Sequence, residues 1–114
     1  MPPKRNPLKL NGLQRKTLAI LQEVAGLSEF SRPDEAGGGI TFLGLPQPHG
    51  DHFHIGDKGV MASNATGLQN QAVWTALSRK GLVAPGFPMV MALTGAGVAY
   101  DTGIREKIIL SAEH

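Results

Sequence analysis

The sequence predicts a single α+β domain, on three observations. The chain has 114 residues, the length of one hydrophobic core rather than two. Two stretches, 12–26 and 68–80, repeat apolar residues at helical spacings of three and four. Three short runs, 40–45, 52–55 and 89–93, are rich in β-favouring residues and flanked by turn-forming ones. Hydrophobic residues make up 41% and charged residues 18%, a balance that suits a folded chain. Aromatics reach only 5%, so aliphatic side chains and Met must do most of the packing.

Taken in order, residues 1–9 read as a flexible basic arm, since Pro2, Pro3 and Pro7 interrupt any helix, and 10–114 form the domain. Asn11 is a suitable N-cap because its side chain can accept from unpaired backbone N–H groups. Leu10, Leu13, Thr17, Ile20, Val24 and Leu27 then form one stripe, widened by Leu18 and Leu21, and Gly26 is the expected stop. Residues 28–39 read as a loop, because Pro33 and the glycines at 37–39 oppose regular structure. Residues 40–45 form a strand. Across a polar break at 46–51, residues 52–55 pair with it as an inserted hairpin. Residues 57–66 fit either a short helix capped by Asp57, weakened by Gly59 and Asn64, or a strand through 59–62.

The helix at 68–80 gathers Leu68, Val73, Trp74, Ala76 and Leu77 on one broad side. Gln71, Thr75, Ser78 and Arg79 fall on the other, and Gly81 ends the helix. A turn at 85–88 leads to the strand 89–93, and Thr94 caps a last short helix. Residues 107–110 fit a strand or a terminal helix. The expected sheet is small, antiparallel and built from 40–45, 52–55 and 89–93. Met61, Met89 and Met91 read as core fillers.

Several chemistries are excluded. Without cysteine there is no disulfide framework, thiol nucleophile or cysteine-ligated metal. No GxxxxGK[ST] run supports a P-loop, and neither Ser63 nor Ser78 sits in a nucleophile elbow, so the chain does not read as an enzyme. No apolar run follows the basic N-terminus to act as a signal peptide, and none spans a bilayer. A cytoplasmic location without membrane attachment is expected. Net charge is +2, and Lys4, Arg5, Lys9, Arg15 and Lys16 all precede the first acid, Glu23. Such a block either meets phosphates or is an ordinary solvated face.

One segment carries a family resemblance. Residues 62–83, ASNATGLQNQAVWTALSRKGLV, resemble a degenerate winged helix-turn-helix. Gly67 takes the place of the turn glycine, Ser63 is the small residue four before it, and Val73 is the apolar residue six after it. ALSRKGLV resembles the exit from a recognition helix, and Leu93-Thr94-Gly95-Ala96-Gly97 the run after the wing's return strand. The resemblance implies a DNA-binding module, such as a transcriptional regulator, and dimerisation on paired half-sites. Gln71, Thr75 and Arg79 would face bases with Asn70 and Ser78 beside them, while Lys4, Arg5, Arg15, Lys16 and Lys80 would contact phosphates. The same scaffold also serves as a protein-interaction module, which is the alternative reading.

A second constellation is the histidine cluster His49-Gly50-Asp51-His52-Phe53-His54. In an extended segment His52 and His54 share a face. With His49 and a carboxylate from Asp51 or Asp57, that spacing suits a divalent metal. The bland reading is a polar hairpin tip with solvated imidazoles. No other cofactor is implied.

Overall fold

Asn11 and Gln14 start the fold. In the computed structural model the Asn11 side chain accepts from the Gln14 backbone N–H at 2.8 Å, and the Gln14 side chain accepts from the Asn11 N–H at 3.0 Å. This reciprocal box satisfies donors that a helix start otherwise leaves open. The helix it opens, α1, runs Gly12–Val24. The structure describes residues 8–34, 37–46, 48–49, 51–56 and 58–111, and at Pro48, His49, Phe53, Glu106, Leu110 and Ser111 the backbone only.

Helix α1 departs from a simple amphipathic element. Every residue from Thr17 to Gln22 is buried, and consecutive burial leaves no solvent face in its second half. Gln22 tolerates this because its side-chain amide donates to the carbonyls of Gly97 at 2.9 Å and Tyr100 at 2.6 Å. Around α1 lie two antiparallel sheets, where the sequence predicts one. The first contains β1 (Ser31–Pro33), β2 (Ile40–Phe42) and β6 (Ala92–Leu93), in the order β1-β2-β6. The second contains β3 (Pro48–His49), β4 (His52–Ile55), β5 (Lys58–Met61) and β7 (Leu110–Ser111), in that order.

Residues 52–55 therefore do not pair with 40–45. They pair with 48–49 on one side and 58–61 on the other. The two-residue link between Ile55 and Lys58 favours this local hairpin, and Gly56 takes φ +63° there. The predicted loop 28–39 likewise holds a strand. Ser31 pairs with Phe42 and Pro33 with Ile40. Pro33 is accommodated because β1 is an edge strand, where one face of the backbone needs no donor.

Between β5 and the next helix lie two 3-10 turns, Ala62–Asn64 and Thr66–Gln69. Of the two readings of 57–66 the strand is the one found, as β5, and the 3-10 turns follow it. Gly67 is not a left-handed turn residue. It lies in the second 3-10 turn, where a Cβ would collide with the Thr17 hydroxyl of α1. Helix α2 then runs Gln71–Arg79, starting later than the apolar spacing predicts because Asn70 caps it by accepting from the Ala72 N–H at 3.0 Å. Gly81, at φ +77°, ends it. The chain next forms a narrow pair with β6. Val83 bridges Leu93, and the Ala84 N–H donates to the Ala92 carbonyl at 2.9 Å, so 85–91 is a projecting loop.

Thr94 caps α3 (Gly95–Ala99), as its position predicts. Residues 107–110 divide between α4 (Arg105–Ile108) and β7. One apolar cluster takes Leu18, Ile20 and Leu21 from α1, Phe42 and Leu93 from the first sheet, Val60 from the second and Trp74 from α2. Of the methionines, Met91 packs against this core. Met89 and Met61 are exposed, correcting their reading as core fillers. Among the described residues no helix is long and apolar enough to cross a membrane.

Candidate functional site

Trp74 fixes α2 against the projecting loop. Its indole is 1% exposed and donates from Nε1 to the Leu68 carbonyl at 3.0 Å. On the loop side it stacks on Phe87, with centroids 4.7 Å apart and planes within 10°. The Gln71 amide donates to the Phe87 carbonyl at 3.4 Å, a long contact. A cleft of about 180 Å³ remains between helix and loop, lined by Gln71, Trp74, Thr75, Ser78 and residues 84–87.

Gln71, Thr75 and Arg79 are exposed on one face of α2, as their spacing predicts. Their sequence-predicted neighbours have other roles. Asn70 spends its side-chain oxygen on the helix cap, and the half-buried Ser78 hydroxyl donates to the Thr75 carbonyl at 2.8 Å. Lys80 donates to the Leu8 carbonyl at 2.8 Å, which lays the base of the arm beside the end of α2.

The Arg15 guanidinium donates to the buried Thr102 carbonyl at 3.1 and 2.8 Å, so it braces a loop instead of reaching outward. Lys16 is half-buried on α1. Lys4 and Arg5 lie outside the described residues. A signal that the apolar spacing conceals is the complete absence of Asp and Glu from 58–100, the stretch that builds α2 and the loop.

The histidine cluster lies elsewhere, on the second sheet. Strand β4 brings the rings of His52 and His54 together, with Nε2 atoms 3.2 Å apart and centroids 4.8 Å apart at 79°. Asp51 Oδ1 stands 3.0 Å from His52 Nδ1. The hydrogen bond with His52 lowers the Asp51 carboxyl below its ordinary range, with smaller help from a backbone bond and the imidazole charge. His49 is the register partner of His52, but its side chain, like Asp57, lies outside the described part. Among the described residues no group of three or more His, Asp or Glu could surround a metal.

A third cluster joins α1, β5 and α4. Glu23, whose side chain is 12% exposed, accepts from Lys58 Nζ at 2.7 Å and from Arg105 Nη2 and Nε at 2.6 and 2.8 Å. Burial pushes its carboxyl up, but the hydrogen bonds from Lys58 and Arg105, and then their charges, outweigh this and hold it below the ordinary value. An open hollow of about 360 Å³ adjoins the trio.

No protein-family model, curated protein or solved structure matches the chain.

These clusters offer different chemistry. The α2 face carries amide, hydroxyl and guanidinium donors on a stretch of chain that holds no Asp or Glu. The imidazole pair brings two ring nitrogens within 3.2 Å of each other. The Glu23 trio is satisfied internally by paired charges and serves to hold three elements together.

Proposed function

We propose that the domain is a winged helix-turn-helix module that binds nucleic acid, in the first place duplex DNA, through α2 and the 84–91 loop. The connectivity supports this. Helix α1 is followed by β1 and β2, the inserted strands β3, β4 and β5, the 3-10 turns, α2, and a narrow pair through Val83 and β6 enclosing the loop. The central strand pairing, with β6 between β2 and Val83, suits a wing that returns into a three-stranded sheet. Short 3-10 turns take the place of a full bracing helix, held to α1 at the Thr17–Gly67 approach.

The observation that carries the reading is the exposed Gln71, Thr75 and Arg79 face within an acid-free stretch. Gln and Arg can make bidentate contacts to adenine and guanine edges, and Thr suits either base or a thymine methyl. Lys80, with Lys4 and Arg5 of the arm, would supply phosphate contacts.

One observation favours a protein partner on the same scaffold. The tip of the loop carries Met89, 91% exposed, and Val90, 43% exposed, with no Lys or Arg between 81 and 104. Exposed apolar side chains of that kind suit a protein surface.

Fluorescence anisotropy with mixed-sequence duplex DNA at low and moderate salt tests the two readings. Nucleic-acid binding gives an affinity that falls steeply with salt, each phosphate contact adding about 0.9 to the logarithmic slope. Arg79→Ala should then weaken binding. An absence of binding even at low salt removes the nucleic-acid reading.

A further inference from the structure

The second sheet carries chemistry that the α2 face does not use. His52 and His54 lie two apart on β4 and so project to one face of the sheet. Their Nε2 atoms are 3.2 Å apart. Two imidazole nitrogens bound to one tetrahedral zinc at ordinary bond lengths are about 3.3 Å apart. The pair therefore stands near chelating separation before any ion arrives. Gly59 is the register partner of His54, so no side chain projects from β5 opposite that imidazole.

We propose that His52 and His54 form a bidentate imidazole site for a divalent transition-metal ion of the zinc, nickel or copper class. Asp51 is its orienting group. With His52 Nδ1–H donated to the Asp51 carboxylate, the lone pair of His52 is on Nε2, the nitrogen beside His54, the arrangement in which a carboxylate fixes the tautomer of a ligating histidine. Without metal, the short Nε2–Nε2 contact needs a proton on one of the two nitrogens. Metal binding takes both rings as neutral Nδ1–H tautomers, the bridging proton moving through solvent from Nε2 to Nδ1 of its own ring, so that each Nε2 offers a lone pair and no net proton is released. The described residues supply two nitrogens to the ion, which therefore exchanges readily. Borderline-soft ions that accept imidazole fit the site, and magnesium and calcium, which require oxygen ligands, do not. This site is independent of the nucleic-acid reading, because its residues lie on β4 and not on α2 or the 84–91 loop.

The test is calorimetric titration of the full chain with zinc chloride and nickel chloride, with magnesium chloride as the contrast. The expected result is saturable binding of one zinc or nickel ion per chain at micromolar metal, and none of magnesium. His52→Ala and His54→Ala should each weaken zinc binding by at least about tenfold, and Asp51→Asn by roughly tenfold through loss of orientation. Long-range nitrogen-15 spectra of the imidazoles give a second readout, in which the Nε2 signals of His52 and His54 shift together as zinc is added. Absence of zinc and nickel binding at millimolar metal overturns the site. So does unchanged zinc affinity in the His52→Ala, His54→Ala double variant.

Discussion

The Trp74 indole and the Phe87 ring lie face to face, 4.7 Å between centroids and 10° from parallel, and this contact ties the 84–91 loop to α2. Trp74 is anchored from behind by the Leu68 carbonyl, so Phe87 is the movable partner. Removing the Phe87 ring forfeits a stacked aromatic pair and the burial of half a phenyl group. We expect Phe87→Ala to lower unfolding free energy by roughly 2 kcal/mol and to shift indole emission to the red. Urea unfolding followed by fluorescence measures both. Unchanged stability and unchanged emission would show that the loop is held by something else.

The approach of Gly67 to Thr17 sets how closely the 3-10 turns press on α1. A Cβ at 67 meets the Thr17 hydroxyl, which is buried and has no hydrogen-bond partner among the described residues. Gly67→Ala should destabilise by about 1–3 kcal/mol, the usual range for overpacking a tight contact. Thr17→Ala removes the obstructing atoms, so the double variant should recover part of the loss. A double-mutant cycle with no coupling between the two positions contradicts the proposed clash.

The Glu23 trio gives a pH dependence with a definite sign. The folded carboxyl titrates below its ordinary value of 4.5, so the unfolded chain takes up the proton first. The contribution of the trio is complete above that value and is lost as pH falls through the folded pKa. We expect the melting temperature to drop below about pH 4.5 more steeply in the wild type than in Glu23→Gln. Above it the variant should be the less stable, because Lys58 and Arg105 lose their shared carboxylate. Parallel thermal melts across pH 3–7 would refute this if the two slopes coincide.

Arg15 and Arg79 provide a paired contrast. Arg15 braces the Thr102 carbonyl, whereas Arg79 is exposed on α2. Arg15→Ala should lower stability by about 1–2 kcal/mol through the lost charge-assisted bonds. It should leave the salt dependence of any DNA binding unchanged. Arg79→Ala should do the reverse, weakening binding by about 1–3 kcal/mol with little change in stability. Thermal melts and salt-dependent anisotropy on both variants separate the two roles.

Much of this protein follows from local sequence. The Asn11 cap, the stripe of α1, the end of α2 at Gly81 and the Thr94 cap are interactions among residues a few positions apart, and neighbours suffice to specify them. The outward face at Gln71, Thr75 and Arg79 is equally local, because helical spacing alone places it. The His52 and His54 side chains share a face for the same reason in extended chain. A further local signal was present in Gly56-Asp57, two turn-forming residues between two β-favouring runs, and it accounts for the β4–β5 hairpin.

Only the tertiary structure decided the rest. Strand partners depend on which segments meet in space, so the β-favouring runs at 40–45 and 52–55 went to separate sheets. Gly67 is small because α1 presses on it, a contact across fifty positions that no local spacing encodes. Arg15 was turned inward by a carbonyl near the far end of the chain, and Met89 was left in solvent by a projecting loop. Local preferences fix the conformation of short segments within one or two turns. Long-range packing and hydrogen-bond satisfaction determine which of their faces become core, contact or surface.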